Sequence, residues 1–236
     1  MITLLDFLQD MSYGEFQHLS IGQFDPTSHD SEPDARSYAQ FLSHLNKGLS
    51  ALHGRFPLRF EEVDIQLHEE ITDYFLDYEY ASSNLTSSKP VLYIMDTVSE
   101  PFADNVLKIE EVFDEEGDLL HMNDVDEDLS VFTPRNNLVQ VPWPNDWNMI
   151  SVQYRADHPK LVYSAGLDPS AVELQIPRHM TEALQFYVAA RMTNSLPQEG
   201  ATFWSKYRAA VEMLNMDGTY PQAEVGNSKL DDRGFA

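Results

Sequence analysis

Residues 62–69 of this chain read EVDIQLHE, and this stretch decides the fold. Val63, Ile65 and Leu67 alternate with polar residues, which is the pattern of a half-buried β-strand. Before this point the apolar residues recur at every third or fourth position instead, as they do in a helix. The sequence therefore predicts a change from helix to sheet near residue 60.

The segment before this strand predicts one long helix. We expect it to begin near Ser31 or Glu32, with Pro33 in its first turn, and to end between Gly54 and Pro57. A shorter helix is predicted over residues 4–11. The long helix carries one apolar stripe, made of Ala35, Tyr38, Leu42, Leu45, Leu49, Leu52 and Phe56.

A β-rich region follows. Residues 71–80 alternate like 62–69 and are predicted to form the antiparallel partner of that strand. The sequence DEEGD at 114–118 predicts a tight turn, and with it a hairpin over 107–120. Further strands are predicted at 90–95, 106–113, 138–141 and 149–155.

The helical period returns after Pro169. Two helices are predicted around 180–192 and 204–214, and the short break at 194–197 requires them to run antiparallel. The fold class is therefore α+β: a helical body, built from the long N-terminal helix and the C-terminal helix pair, with an inserted antiparallel β region and an extended C-terminal arm. The predicted parts are 1–60, 61–168, 169–216 and 217–236.

The last part, residues 217–236, loses the apolar periodicity. It mixes Gly, Pro, Asp and Asn with isolated apolar residues, a composition that cannot bury enough surface to fold alone. Fully extended, such a segment reaches roughly 65–70 Å. Two interpretations stay open from composition alone: an arm that docks into a neighbouring molecule, or a frayed terminus.

Charge and composition exclude several functions. The formal net charge is −24, which opposes direct binding of nucleic-acid phosphates. The absence of cysteine removes disulfides, thiolate nucleophiles and thiolate metal ligands. No apolar run is long enough for a membrane span, and the N-terminus lacks the basic start of a signal peptide, so we expect a protein that stays in the cytoplasm.

No catalytic, cofactor-binding or metal site is predicted. Asp124, Asp126 and Asp128 have the first spacings of a calcium loop, but Leu129 and Arg135 stand where glycine and glutamate are needed. A solvated acidic face is the favoured interpretation. Residues 68–70, His-Glu-Glu, begin like the zinc-binding helix of zincins but lack its spacing. Residues 28–30, Ser-His-Asp, are the residue types of a catalytic triad, but as sequence neighbours they lack its geometry.

The connector 141–147 contains two tryptophans beside prolines. Trp143 and Trp147 are large amphipathic side chains of the kind that anchor protein interfaces. They either contact a neighbouring subunit or the tail, or cap the sheet's own core, and the sequence favours the core.

Most of residues 1–216 resembles a known family in its overall order of segments. The segments that carry the likeness are ITLLDFLQDMSYGEF (2–16), HLNKGLSALHGRFPLR (44–59), EEVDIQLHEEITDYFLDYEYA (61–81), FADNVLKIEEVFDEEGD (102–118), VQYRADHPKL (152–161), RHMTEALQFYVAARM (178–192) and EGATFWSKYRAAVEM (199–213). They are similar to the head-to-tail adaptors of podovirus-type tailed bacteriophages, also called tail tubular protein A.

The resemblance implies a non-enzymatic virion protein at the head–tail interface, assembled in the host cytoplasm. It implies a ring of usually twelve copies between the portal protein and the tail nozzle or tube, with genomic DNA passing through the lumen unbound. It also implies a C-terminal segment that docks on the portal. In that arm we expect Tyr220, Leu230 and Phe235 as apolar anchors, with Asp231, Asp232 and Arg233 supplying charge complementarity.

Two alternatives remain beside the adaptor. The acidic composition also fits an inhibitor that mimics DNA and binds a basic host protein. The acids between Asp96 and Asp128 also allow a metal-dependent hydrolase.

Overall fold

The computed structural model describes residues 2–12, 35–142, 148–162, 168–193 and 197–216. These residues combine helices with antiparallel strands, so the predicted α+β class is confirmed at this level. The helices are α1 (Leu4–Ser12), α2 (Ala35–Arg55), α3 (Thr181–Met192) and α4 (Pro197–Met216). The strands are β1 (Ile2–Thr3), β2 (Phe60–Gln66), β3 (Asp73–Phe75), β4 (Ile94–Met95), β5 (Val106–Phe113), β6 (Phe132–Arg135), β7 (Leu138–Gln140), β8 (Met149–Ala156) and β9 (Glu173–Leu174).

The chain divides into two compact units. The helical unit comprises Met1–Pro57 and Lys160–Ala236, and the β unit comprises Leu58–Pro159. The chain thus passes from the first unit into the second near residue 57 and returns near residue 160. The sequence placed these transitions at 60 and 168.

Helix α2 supplies the main apolar face of the helical unit. Its predicted stripe is buried from Tyr38 through Leu52, and Phe41, which the prediction omitted, is also fully buried. The predicted helix over 4–11 is observed as α1, which begins with reciprocal hydrogen bonds between Thr3 and Asp6. The predicted start of α2 at 31–34 lies outside the described residues.

Helices α2 and α3 approach closely at Gly48. A β-carbon at this position would lie only 2.6 Å from Leu184 Cδ1 and 2.9 Å from Tyr187 Cδ1. Helix α4 packs on α3 through aromatic rings, with Phe186 and Phe203 stacked at 6.5 Å and Thr193 beside Gly200 near the connection. Later residues of α3 thus contact earlier residues of α4, as an antiparallel pair requires.

The described residues of the β unit form two antiparallel sheets. The larger has the strand order β4-β2-β8-β5, and the smaller has the order β3-β7-β6. Val63 and Ile65 of β2 and Leu67 directly after it are buried as their alternation predicted. They join one apolar cluster with residues of both sheets, including Tyr74, Val139 and Val152.

The predicted partner of the first strand was wrong. Residues 71–80 do not pair with β2; within them only β3 is extended, and it pairs with β7. The hydroxyl of Tyr74 accepts from the N–H of His68 and donates to its carbonyl, which ties β3 to the segment that follows β2. Strand β2 instead pairs with β8 along its whole length and with β4 at one end.

Other strand predictions were right in position but differ in length. The prediction at 90–95 gives only the two-residue β4, whereas 106–113 and 149–155 are observed as β5 and β8. The predicted hairpin over 107–120 turns at DEEGD, but its return arm contributes one bridge, Phe113 to Leu119. Among the strands of the described residues, three were not predicted: β1, β6 and β9.

Candidate functional site

The predicted docking residues lie outside the described part of the chain. This applies to the arm residues Tyr220, Leu230, Asp231, Asp232, Arg233 and Phe235, and to the connector residues Trp143 and Trp147. Their proposed roles therefore remain predictions. The described residues instead show how charge and open surface are distributed over the two units.

Negative charge is concentrated in the β unit. Residues 58–159 contain 23 acidic and 5 basic residues, a net charge of −18, whereas the rest of the chain contains 16 and 10, a net charge of −6. Most of the acids in the described part of the β unit lie on exposed turns and strand faces. Both units are therefore net negative, and the β unit carries three quarters of the excess charge.

The DEEGD turn shows how the acids are presented. Asp114 Oδ1 accepts hydrogen bonds from the N–H groups of Glu116 at 3.0 Å and Asp118 at 2.9 Å. Gly117 has a φ of +86°, the left-handed conformation that favours glycine. One carboxylate thus holds the turn together, and the other acidic side chains of the turn remain exposed.

The aspartates at 124–128 form a similar turn. Asp124 Oδ1 accepts from the N–H of Asp126, and the N–H of Asp124 donates to Ser130 Oγ, both at 3.0 Å. Within the ranges that the structure describes, no group of three His, Asp or Glu side chains is arranged to hold a metal ion. His68, Glu69 and Glu70 lie on the turn after β2 and not on a helix.

A buried ion pair lies beneath this acidic surface. Glu110 on β5 contacts Arg155 on β8 at 2.5 Å and Lys108 at 2.8 Å. Glu110 and Arg155 are both buried, whereas Lys108 is exposed. The cluster ties β5 to β8 where their register shifts.

The helix pair α3–α4 presents cations over aromatic rings. The Arg191 guanidinium lies 5.3 Å from the Tyr187 ring and 5.5 Å from the Trp204 ring, and Arg208 lies 5.8 Å from Trp204. Lys206 lies over Phe186 and Phe203. Such contacts fix the side-chain stems while the charges remain at the surface.

An open groove of about 630 Å³ lies along the edge of β2 in the β unit. At its base Arg59 pairs with Glu61, and Glu61 Oε2 accepts from the Tyr154 hydroxyl and the Asn105 amide, each at 2.9 Å. Burial, reinforced by the neighbouring Glu61 carboxylate, raises the pKa of Tyr154 above its usual range. The groove is lined by Arg59, Glu61, Glu62, Val63, Asp64, Met95, Asp96, Thr97, Glu100, Pro101, Phe102, Ala103 and Tyr154.

Asp96 holds the far wall of the groove. Its carboxylate accepts from the Ser83 N–H at 2.7 Å, the Ser83 hydroxyl at 2.5 Å and the Phe102 N–H at 2.8 Å. Burial alone would raise the pKa of Asp96, but these hydrogen bonds outweigh it and hold the pKa below its usual range. Asp96 is therefore an ionised structural acceptor.

The sequence did not predict this groove. Only weak local features of the sequence indicate its walls: strand β4 is short, and Pro101 lies in the loop that follows it. Bringing them together depends on the pairing of β2 with β8, which places Glu61 opposite Tyr154. The prediction had given β2 a different partner.

Comparison with known proteins found no matching family model and no matching curated protein. Among the helices that the structure describes, none is both long enough and apolar enough to cross a membrane.

Proposed function

We propose that this protein is a structural, non-enzymatic component of a phage virion: a ring-forming adaptor that joins the portal to the tail nozzle or tube. Genomic DNA passes through the ring without specific binding. The segment resemblance supports this function, and so does the architecture, which is the observation that carries the proposal most strongly. A β unit is inserted into a helical unit built from both ends of the chain.

In this proposal the helical unit is the body of each subunit. Its surface cations on α3 and α4 face partners or neighbouring copies, and ring symmetry multiplies modest contacts at each position. Residues 217–236 form the arm that docks on the portal, with Tyr220, Leu230 and Phe235 as anchors. Trp143 and Trp147 are candidates for a further contact with a neighbouring subunit or the tail, and capping of the sheet's own core is their alternative role.

The charge of the β unit supports the passage of DNA. A surface with a net charge of −18 repels phosphates, so DNA slides past it without adhering. The same charge fits an acidic mimic of DNA, which is the main competing function. Oligomeric state and partner separate the two.

The test is mass photometry of the purified chain, alone and mixed with portal rings from the same genome. The adaptor proposal predicts a portal-dependent mass increase equal to many copies of the 27.0 kDa chain. No association well above assembly concentrations contradicts it, and a complex of one or two copies with a basic host protein favours the mimic.

A truncated chain tests the arm. Deletion of residues 217–236 is expected to abolish portal docking while leaving the far-UV circular dichroism of the folded units unchanged. The matched control is a full-length chain with Leu85→Ser, an exposed apolar side chain on the β unit, which should dock normally. Normal docking by the truncated chain would refute the role of the arm.

A further inference from the structure

One edge of strand β2 is open at its beginning. Strand β4 pairs with β2 only at Asp64 and Ile65, after which the chain leaves the sheet beyond Met95. Strand β2 nevertheless continues back to Phe60, with β8 on its other side. No described strand pairs with residues 60–63 on the β4 side.

The hydrogen-bond pattern shows which backbone groups face this open edge. The N–H of Leu67 donates to the Asn148 carbonyl, and the Arg59 carbonyl accepts from Ala156, so odd-numbered residues of β2 bond toward β8. The N–H of Gln66 donates to the Tyr93 carbonyl on the β4 side. By this alternation the N–H and C=O of Glu62 point into the groove, where an added strand would pair with them.

The opposite wall of the groove stands away from this edge. It is the loop 96–103, fixed by the Asp96 hydrogen bonds and by an edge-to-face contact between Phe102 and Tyr154 at 6.1 Å. The volume between wall and edge is about 630 Å³. An extended segment of four residues, about 13 Å long, matches the open part of β2.

The side chains around the opening define the chemistry of the occupant. Glu62 and Asp64 lie on the outer face of β2, two residues apart, and Glu100 faces the groove from the loop. On the other side the groove is lined by the exposed Pro101 and by the largely buried Val63 and Phe102. The Arg59 charge is already matched by Glu61, so the groove has a negative excess.

We propose that this groove binds an extended polypeptide segment of alternating basic and apolar residues, which adds to β2 as a further strand. The segment's backbone pairs with Glu62, its Lys or Arg side chains meet Glu62 and Asp64, and its apolar side chains face Val63 and Phe102. Cross-strand pairs of opposite charge stabilise such an addition, and edge pairing supplies the main-chain hydrogen bonds. This contact does not depend on the adaptor function.

The probe is the fluorescein-labelled peptide acetyl-Lys-Val-Lys-Val-Lys-amide, titrated with the full chain by fluorescence anisotropy. Ionic strength of 0.15 M screens distant charges beyond about 8 Å. We expect saturable binding that weakens at least tenfold for Glu62→Gln with Asp64→Asn. The matched control, Asp126→Asn with Glu127→Gln, removes two exposed charges from another turn of the same unit and should change the affinity less than twofold.

A second peptide tests strand addition itself. In one peptide both valine amides are N-methylated, which keeps every charge but removes the backbone donors on one edge. In another the amides of the middle and last lysines are N-methylated, which removes backbone donors on the other edge. One of these two peptides should lose at least tenfold in affinity. Equal binding of the parent and both methylated peptides would refute strand addition. Equal losses for the Glu62–Asp64 and the Asp126–Glu127 double variants would show that only the overall charge attracts the peptide, and would also refute the proposal.

Discussion

The helical unit and the β unit are stabilised in different ways. The helical unit is held by apolar contacts, with α2 against α3 at Gly48 and aromatic rings between α3 and α4. The β unit adds buried polar groups that must be matched one to one: Glu110 with Arg155, and tyrosine hydroxyls with backbone groups. We therefore expect the stability of the β unit to be sensitive to the loss of single polar atoms. The stability of the helical unit should instead be sensitive to changes in side-chain volume.

The largest effect is expected at the buried ion pair. Glu110→Gln leaves the Arg155 charge buried without its carboxylate, which typically costs about 3–5 kcal/mol. Hydrogen exchange measured by mass spectrometry should show faster exchange across β5 and β8 but unchanged exchange in α2 and α3.

The neighbouring Glu111 provides the control, because it is exposed on the same strand. Glu111→Gln should change stability by no more than about 0.5 kcal/mol. Similar losses of stability in the two variants would show that the buried ion pair does not stabilise the β unit more than an exposed carboxylate does.

The next effect concerns Tyr93. Its hydroxyl accepts from the Phe75 N–H at 2.8 Å and donates to the Phe75 carbonyl at 3.1 Å. Tyr93→Phe leaves both backbone groups without this partner, at a cost of about 1–3 kcal/mol in urea unfolding. Tyr78→Phe, at an exposed ring, should cost much less, and equal losses would contradict the assigned role of the hydroxyl.

A glycine pair tests the fit of the helical unit. Gly48→Ala forces Leu184 and Tyr187 to shift, and such overpacking costs about 1–3 kcal/mol before the gain in helix propensity is counted. Gly54 lies on the same helix with open space around it, so Gly54→Ala should stabilise by up to about 1 kcal/mol. Thermal unfolding of both variants provides the comparison, and a stabilising Gly48→Ala would contradict the close packing.

The smallest effect is expected at alkaline pH. Burial raises the pKa of Tyr74, Tyr93 and Tyr154 in the β unit, and of Tyr207 in the helical unit. Between the unfolded pKa near 10 and these higher folded values, the folded protein holds more protons than the unfolded one. Stability is therefore full below pH 10 and falls as the pH rises further.

The fall should be steeper in the β unit, which holds three of these four tyrosines. Hydrogen exchange at pH 8 and pH 10.5, corrected for intrinsic rates, measures it. Tyr93→Phe should flatten the pH dependence of the β unit alone; an unchanged slope would refute the contribution of Tyr93.

Local patterns predicted most of the elements. The stripe from Tyr38 to Leu52 gave α2, and the alternation of Val63, Ile65 and Leu67 gave β2, because both sets of side chains repeat with the period of their own backbone. Strands β1 and β9 are only two residues each, too short to show any period. Strand β6 contains Pro134, a residue that is disfavoured inside sheets, so its local sequence does not indicate a strand.

Strand pairing was harder to predict than strand position. Strand β2 pairs with β8 and not with residues 71–80, where Tyr74 bonds to the backbone of His68, and no local period encodes either contact. The groove beside β2 was missed for the same reason, since its walls come from distant parts of the chain. The predicted sites in the arm and at Trp143 and Trp147 remain untested predictions.

The chain enters and leaves the β unit at neighbouring points. The Ala156 N–H donates to the Arg59 carbonyl at 3.0 Å, and Arg59 Nη1 donates to the Asp157 carbonyl at 3.3 Å. A module whose two ends lie side by side is readily exchanged by recombination. Its replacement changes the rest of the chain only where the two ends join it. Recombination could then exchange this acidic module while leaving the helical unit of the chain unchanged, and homologous chains are expected to differ most between residues 58 and 159.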